Sequence, residues 1–251
     1  MNMVIKGTIL GAALLLATTG AHAQWGGILD KANSVLNNGK TGNTNIPGGN
    51  YTNNEAVAAL KDALKIGAQN ATGKLSSVNG FFGNQLIKII MPPEAQKVEA
   101  TLRAAGMGSY VDKAVLAMNR AAEDASGKAV NIFINTITTM SVQDGISVVK
   151  GGQGAATNYL KSKTTPQLTE AFRPIIQGSL NKTNATKYWT DVFTLYNKLP
   201  LTQKVNTDLT AYVTERALSG LFVTISDEEN KIRNNASSQV TDLLRKVFGR
   251  K

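Results

Sequence analysis

The string Met118-Asn119-Arg120-Ala121-Ala122-Glu123-Asp124-Ala125 holds the densest set of side chains able to do chemistry in this sequence. Arg120 and Asp124 stand four residues apart, and so do Asn119 and Glu123. On a helix that spacing puts each pair on adjacent turns of one face. With Met118 at 0° and about 100° per residue, the four polar positions fall between about 100° and 240°. Such a quartet can be a solvated face, a buried structural network, or a ligand or catalytic site. Arg120 is expected to be held by carboxylates, chiefly Asp124. A second acidic group, Asp227-Glu228-Glu229, is followed by Lys231 and Arg233. Two carboxylates facing each other ~5–10 Å apart perform glycosidase-type acid/base work. Nothing in the spacing sets any two of these acids across a cleft.

Much other chemistry is absent by composition. The 251 residues include no Cys and a single His, His22. The N-terminus carries one charge, Lys6, then the apolar run Gly7 to Thr19, then Ala21-His22-Ala23. This is the pattern of a secretory signal peptide, with cleavage expected after Ala23. The run is short of the ~20 residues of a spanning helix. The mature chain is expected to begin at Gln24, so His22 leaves with the signal. Without His or Cys there is no Ser-His-Asp triad, no zinc-type metal site and no Cys nucleophile. No cofactor is expected, and the location is expected to be periplasmic or secreted.

The elements that would position these residues read as all-α. Residues 1–23 form the signal peptide, 24–53 an N-terminal segment and an Asn/Gly/Thr-rich linker, and 54–251 a compact multi-helix domain. Trp25 to Leu36 fits a short amphipathic helix. Glu55 to Ala71 repeats apolar residues at steps of three and four, with Asn53 or Asn54 available as N-cap. Gly80 to Met91 reads as an extended segment laid on the helices, ended by Pro92-Pro93. Pro93 can open a helix that stops at Gly106.

A long helical stretch runs from Ser109, to Met140 if continuous. Past Gly127 its apolar residues Val130, Phe133, Ile134 and Ile137 move onto the face that carries Asn119 and Glu123, which argues for partial burial of the quartet. Ser141 with Asp144 makes a capping box for a short helix closed by Gly151-Gly152. Gly151-Gly152-Gln153-Gly154 reads as a helix–helix turn. A helix over Ala155 to Ser162 should be followed by another opened at Thr165-Pro166, and Pro174 should kink or divide it. Helices then follow over Ala185–Asn197, from Asp208 to about Arg233, and over Ser238–Phe248. The stretch Leu218 to Ile225 is apolar on all sides.

The formal charge is +10, or +9 once Lys6 is lost. The basic residues are scattered, without a cluster interleaved with aromatics, so nucleic acid is not an expected partner. No transmembrane anchor is expected after cleavage. An apolar or anionic envelope ligand remains open.

The chain resembles the bacterial exported proteins grouped as domain of unknown function 4197. The resemblance rests on Gly80-Phe81-Phe82, Ile89-Ile90-Met91-Pro92, the Met118–Ala125 octet and Lys150-Gly151-Gly152. It continues through Tyr196-Asn197, Ala217-Leu218-Ser219-Gly220-Leu221-Phe222, Asp227-Glu228-Glu229 and Asp242-Leu243-Leu244. It covers Asn54 to Gly249 and implies export, with no established activity and no catalytic residues to carry over. Three functions stay open: non-catalytic binding of an apolar, lipid-like or envelope ligand or protein partner; a carboxylate-dependent hydrolase acting on cell-wall or carbohydrate substrate; and a structural or assembly factor of the envelope.

Overall fold

Thr52 opens the first helix with a reciprocal cap. Its hydroxyl accepts the Glu55 N–H at 3.2 Å, and its own N–H donates to the Glu55 carboxylate at 2.9 Å. The cap is therefore neither of the expected Asn53 and Asn54 but the residue before them, because of the three only Thr52 has a glutamate three residues on. The computed structural model describes residues 52–198, 204 and 208–234. The signal peptide, the Trp25–Leu36 helix and the Ser238–Phe248 helix lie outside the described residues.

Eight α-helices follow in order: α1 Asn53–Ser76, α2 Gln96–Ala104, α3 Gly108–Ser126, α4 Ala129–Thr139, α5 Val142–Lys150, α6 Ala155–Lys182, α7 Ala185–Tyr196 and α8 Leu209–Asn234. A 3-10 turn, Pro93–Ala95, leads into α2. Among the described residues there is no strand, so the all-α class holds. Ser141 caps α5 by accepting the Asp144 N–H at 3.0 Å, as its capping box requires. Gly106 ends the α2 region in a left-handed conformation, φ +76°.

α8 is the central element. It packs on α6, α1 and α3, and α1 also lies against α4 and α5. Val213, Ala217 and Leu221 are fully buried, and Leu218, Phe222 and Ile225 nearly so. The stretch that reads as apolar on all sides is thus the core helix, covered by the protein on all but the side of Ser219 and Val223, which is exposed. Phe222 meets Phe133 of α4 edge-on at 6.1 Å.

Two expectations differ from the structure. The stretch from Ser109 to Met140 is two helices. At Gly127 and Lys128 the chain stays right-handed but tightens, with Lys128 N–H donating to Ala125 O at 3.0 Å. That i,i+3 turn redirects the axis. The region from Ala155 to Lys182 is one helix, with both Pro166 and Pro174 inside it. Both prolines are exposed. The carbonyls they leave without an intrahelical donor, on Ser162 and Glu170, belong to exposed residues, where water can satisfy them. The Thr165 hydroxyl donates back to Lys161 O at 2.6 Å, so Thr165 sits within the helix and does not cap a new one.

Between α1 and the 3-10 turn, residues 77–92 form a strap across α3 and α8. The expected extended segment over Gly80–Met91 is instead a series of turns up to Ile87, closed by bonds such as Asn84 N–H to Phe81 O, and is free of turns only from Lys88 on. Its inward side chains, Phe81, Ile87, Ile89 and Met91, are all buried. Gly220 of α8 makes room for it: a Cβ there would sit 2.6 Å from the Phe81 ring and 3.2 Å from Ile87 Cβ. Gly220→Ala should therefore destabilise the protein by about 1–3 kcal/mol through overpacking, despite the ~1 kcal/mol helix-propensity gain of alanine. Urea denaturation of the two proteins checks this; equal or higher stability in the variant would mean that the strap yields freely.

Candidate functional site

A buried segment that is neither helix nor strand must find partners for its backbone amides elsewhere. The strap begins with a sharp reversal. Asn79 is left-handed, φ +68°, and a Cβ on Gly80 would lie 2.5 Å from the carbonyl oxygens of both Lys74 and Leu75. This reversal turns the N–H groups of Phe81 and Phe82 toward α3. Both donate to Glu123 Oε1 at 3.1 Å. Glu123 Oε2 accepts Arg120 Nη1 at 2.5 Å, and Arg120 Nη2 donates to Asn79 Oδ1 at 2.9 Å. One turn earlier Asn119 behaves as a strand neighbour would. Its Oδ1 accepts the Ile89 N–H at 2.9 Å, and its Nδ2 donates to Ile89 O and to Val115 O at 2.7 Å. Tyr212 of α8 fastens the next residue, donating its hydroxyl to Ile90 O at 2.8 Å.

Asn119 is fully buried and Glu123 is 4% exposed, so the polar quartet's inner half is a buried network. The expected Arg120–Asp124 pairing is not formed. Arg120 pairs with Glu123 three residues on, a spacing as close on a helix as four. Asp124 lies on the flank turned to α6, where Ser179 donates to its Oδ2 at 2.5 Å. The structure thus joins Asn119, Arg120 and Glu123 around the strap and leaves Asp124 outside it.

The acidic group on α8 is divided in the same way. Asp227 is exposed. Glu228 accepts Lys231 at 2.5 Å and Asn70 at 3.3 Å. Glu229, 3% exposed, reaches the start of α6. There the N-cap is Gly154, φ +81°, which has no side chain to offer the first turn. Glu229 supplies the missing acceptor for the N–H of Ala156 at 3.2 Å, the N–H of Thr157 at 2.9 Å and the Thr157 hydroxyl at 2.7 Å. Arg233 donates to Glu229 at 2.8 Å and to Val148 O, near the end of α5, at 3.2 Å. The anion meets a helix N-terminus and the cation a helix C-terminus, so each complements a macrodipole. The Gly151–Gly154 turn between α5 and α6 is clamped by this pair.

Burial alone would push the Glu229 carboxyl up. The bonds from Thr157 and Arg233 outweigh it and hold the group below the usual carboxylate range. The acid oxygens that sequence singles out on Glu123, Glu228 and Glu229 are thus engaged by groups of the fold. Among the described residues, no three His, Cys, Asp or Glu side chains gather where they could hold a metal ion.

Both anchors lie inside the stretch matched by a family model. The family described as protein of unknown function (DUF4197) matches residues 50–249. The chain belongs to that family. No curated protein and no solved structure matches it. Sequence reasoning missed Asn79, Thr157, Ser179 and Tyr212. The Asn79-Gly80 pair is a turn signal that could have marked the strap's reversal; the other three carry no local signature.

Two outcomes follow from these contacts. Glu123→Ala strands two buried N–H groups and the Arg120 charge, and should cost about 3–5 kcal/mol. Asp124→Ala, at the surface, should cost at most about 1 kcal/mol. Chemical denaturation of both variants decides it, and equal losses would contradict the division of the quartet. The second outcome concerns acid. Because the folded Glu229 value lies below the ordinary 4.5, its contribution is present above that pH and is lost as pH falls through the folded value. The stability gap between wild type and Glu229→Gln should therefore narrow on acidification below about pH 4.5. A gap that stays constant down to acid unfolding would show that Glu229 titrates alike in the folded and unfolded chains.

Proposed function

We propose that this is an exported protein, periplasmic or secreted, that acts by non-catalytic binding of a lipid-like or envelope ligand or a protein partner. One observation carries the reading. The carboxylates most suited to chemistry, Glu123 and Glu229, are turned inward onto backbone N–H groups, while large apolar side chains stand out on the surface. A carboxyl group that serves as general acid or nucleophile must be open to substrate, and these two are not. Val78, Leu86 and Tyr110, at 78%, 82% and 69% exposure, are by contrast available for contact. Export is supported by the Lys6, apolar-run and Ala21-His22-Ala23 pattern.

The test is isolation from the native envelope under mild conditions, followed by N-terminal sequencing and native mass spectrometry. The chain should begin at Gln24 and retain a bound molecule or partner in unaltered form. A chain beginning at Met1 would overturn export. A bound glycan that shortens on incubation would favour the hydrolase, and a chain bare of any associate would favour an assembly role.

A further inference from the structure

We infer that the strap docks this protein on membrane surfaces rich in anionic phospholipid. The inference deepens the binding reading and rests on it. Leu86 and Val78 are the most exposed large apolar side chains among the described residues, and Ile90 in the same strap is 54% exposed. The fold does not call for them there. The strap's core contacts are made by Phe81, Ile87, Ile89 and Met91, so polar residues at 78 and 86 would cost the folded state little. The strap's backbone is also held in place at Phe82, Ile89 and Ile90. Glu123, Asn119 and Tyr212 pin it there, which lowers the ordering cost of binding.

Charge selects the occupant. No Asp or Glu occurs between Asp62 and Glu94, a span that contains Lys65, Lys74 and Lys88. The Lys88 ammonium lies 4.2 Å over the half-buried Phe82 ring, and the Arg120 guanidinium is 6.0 Å from the same ring. The nearest acids on α3, Glu123 and Asp124, are engaged by Arg120 and Ser179. Glu94 and Glu215 lie by the Tyr212 hydroxyl at the Ile90 end. The basic part is therefore the Val78–Leu86 end, where aliphatic tips in a stretch with Lys74 and Lys88 suit the boundary between anionic head groups and acyl chains. A protein interface would more often be centred on aromatic and arginine anchors. No described helix is long and apolar enough to cross a membrane, so the contact is peripheral.

Sedimentation with vesicles tests the assignment, using protein isolated from its own cells with the N-terminus the cell leaves. Wild type should bind phosphatidylglycerol-rich vesicles and not phosphatidylcholine vesicles, and should release as salt rises. The double variant Lys74→Gln/Lys88→Gln should bind about 25-fold more weakly, taking about five-fold per cation. Val78→Ser/Leu86→Ser should lose on the order of ten-fold or more. Both should keep the wild-type melting temperature, which separates lost docking from lost folding. Failure of wild type to bind anionic vesicles overturns the membrane assignment, and so does binding by both variants at wild-type strength. The wider binding reading is judged separately, by the unaltered associate that native mass spectrometry seeks. Loss of that associate with vesicle binding intact would count against the wider reading alone.

Discussion

Every buried backbone N–H needs an acceptor, and the turns within residues 77–92 provide none for Phe81, Phe82 or Ile89, whose N–H groups point into the fold. The rest of the fold is arranged around that demand. Phe81 can enter the core only because Glu123 takes its N–H and that of Phe82. The strap can lie flat only because Asn119 stands in for a neighbouring strand at Ile89. The close passage over α8 needs Gly220. Without these partners, each unpaired buried amide would cost ~1–3 kcal/mol, against a total stability of ~5–15 kcal/mol for a typical domain.

The same solution is used twice. Glu123 with Arg120 gathers the start of the strap onto α3; Glu229 with Arg233 gathers the start of α6 onto α8. In each case one carboxylate serves two successive N–H groups from a distant part of the chain, and a nearby arginine neutralises it. Both points of attachment follow a left-handed residue, Asn79 or Gly154, where the chain has just reversed and has no acceptor of its own. These are places where a side chain from another helix substitutes for local capping.

What was legible in the sequence is what local rules govern. The Ser141–Asp144 box, the stop at Gly106 and the lack of a regular helix before Pro92-Pro93 all follow from residues within a few positions of one another. The move of apolar residues past Gly127 also marked the Asn119/Glu123 face for burial. Partner identity was not legible. Glu123 bonds to backbone N–H groups 41 and 42 residues away, and a backbone amide carries no residue-type signal. The nearby Asp124 therefore looked like the better match for Arg120. Thr165-Pro166 misled for the opposite reason. Its local signal for a helix start is real, but packing of Thr164, Leu168 and Phe172 into the core carries the helix through.

In two of the ion pairs the partners face the solvent unequally. Glu123 is 4% exposed and its Arg120 partner 37%; Glu228 is 11% exposed and its Lys231 partner 55%. Each of these pairs is electrically neutral, yet each is an oriented dipole with the anion inside and the cation outside. A molecule approaching the surface meets the positive end first, across a low-dielectric layer that screens the buried anion poorly but keeps it farther away. At these two places the surface thus looks more basic at close range than the neutral pair implies, and at Glu123 the positive character is fixed by the same carboxylate that holds the strap's backbone.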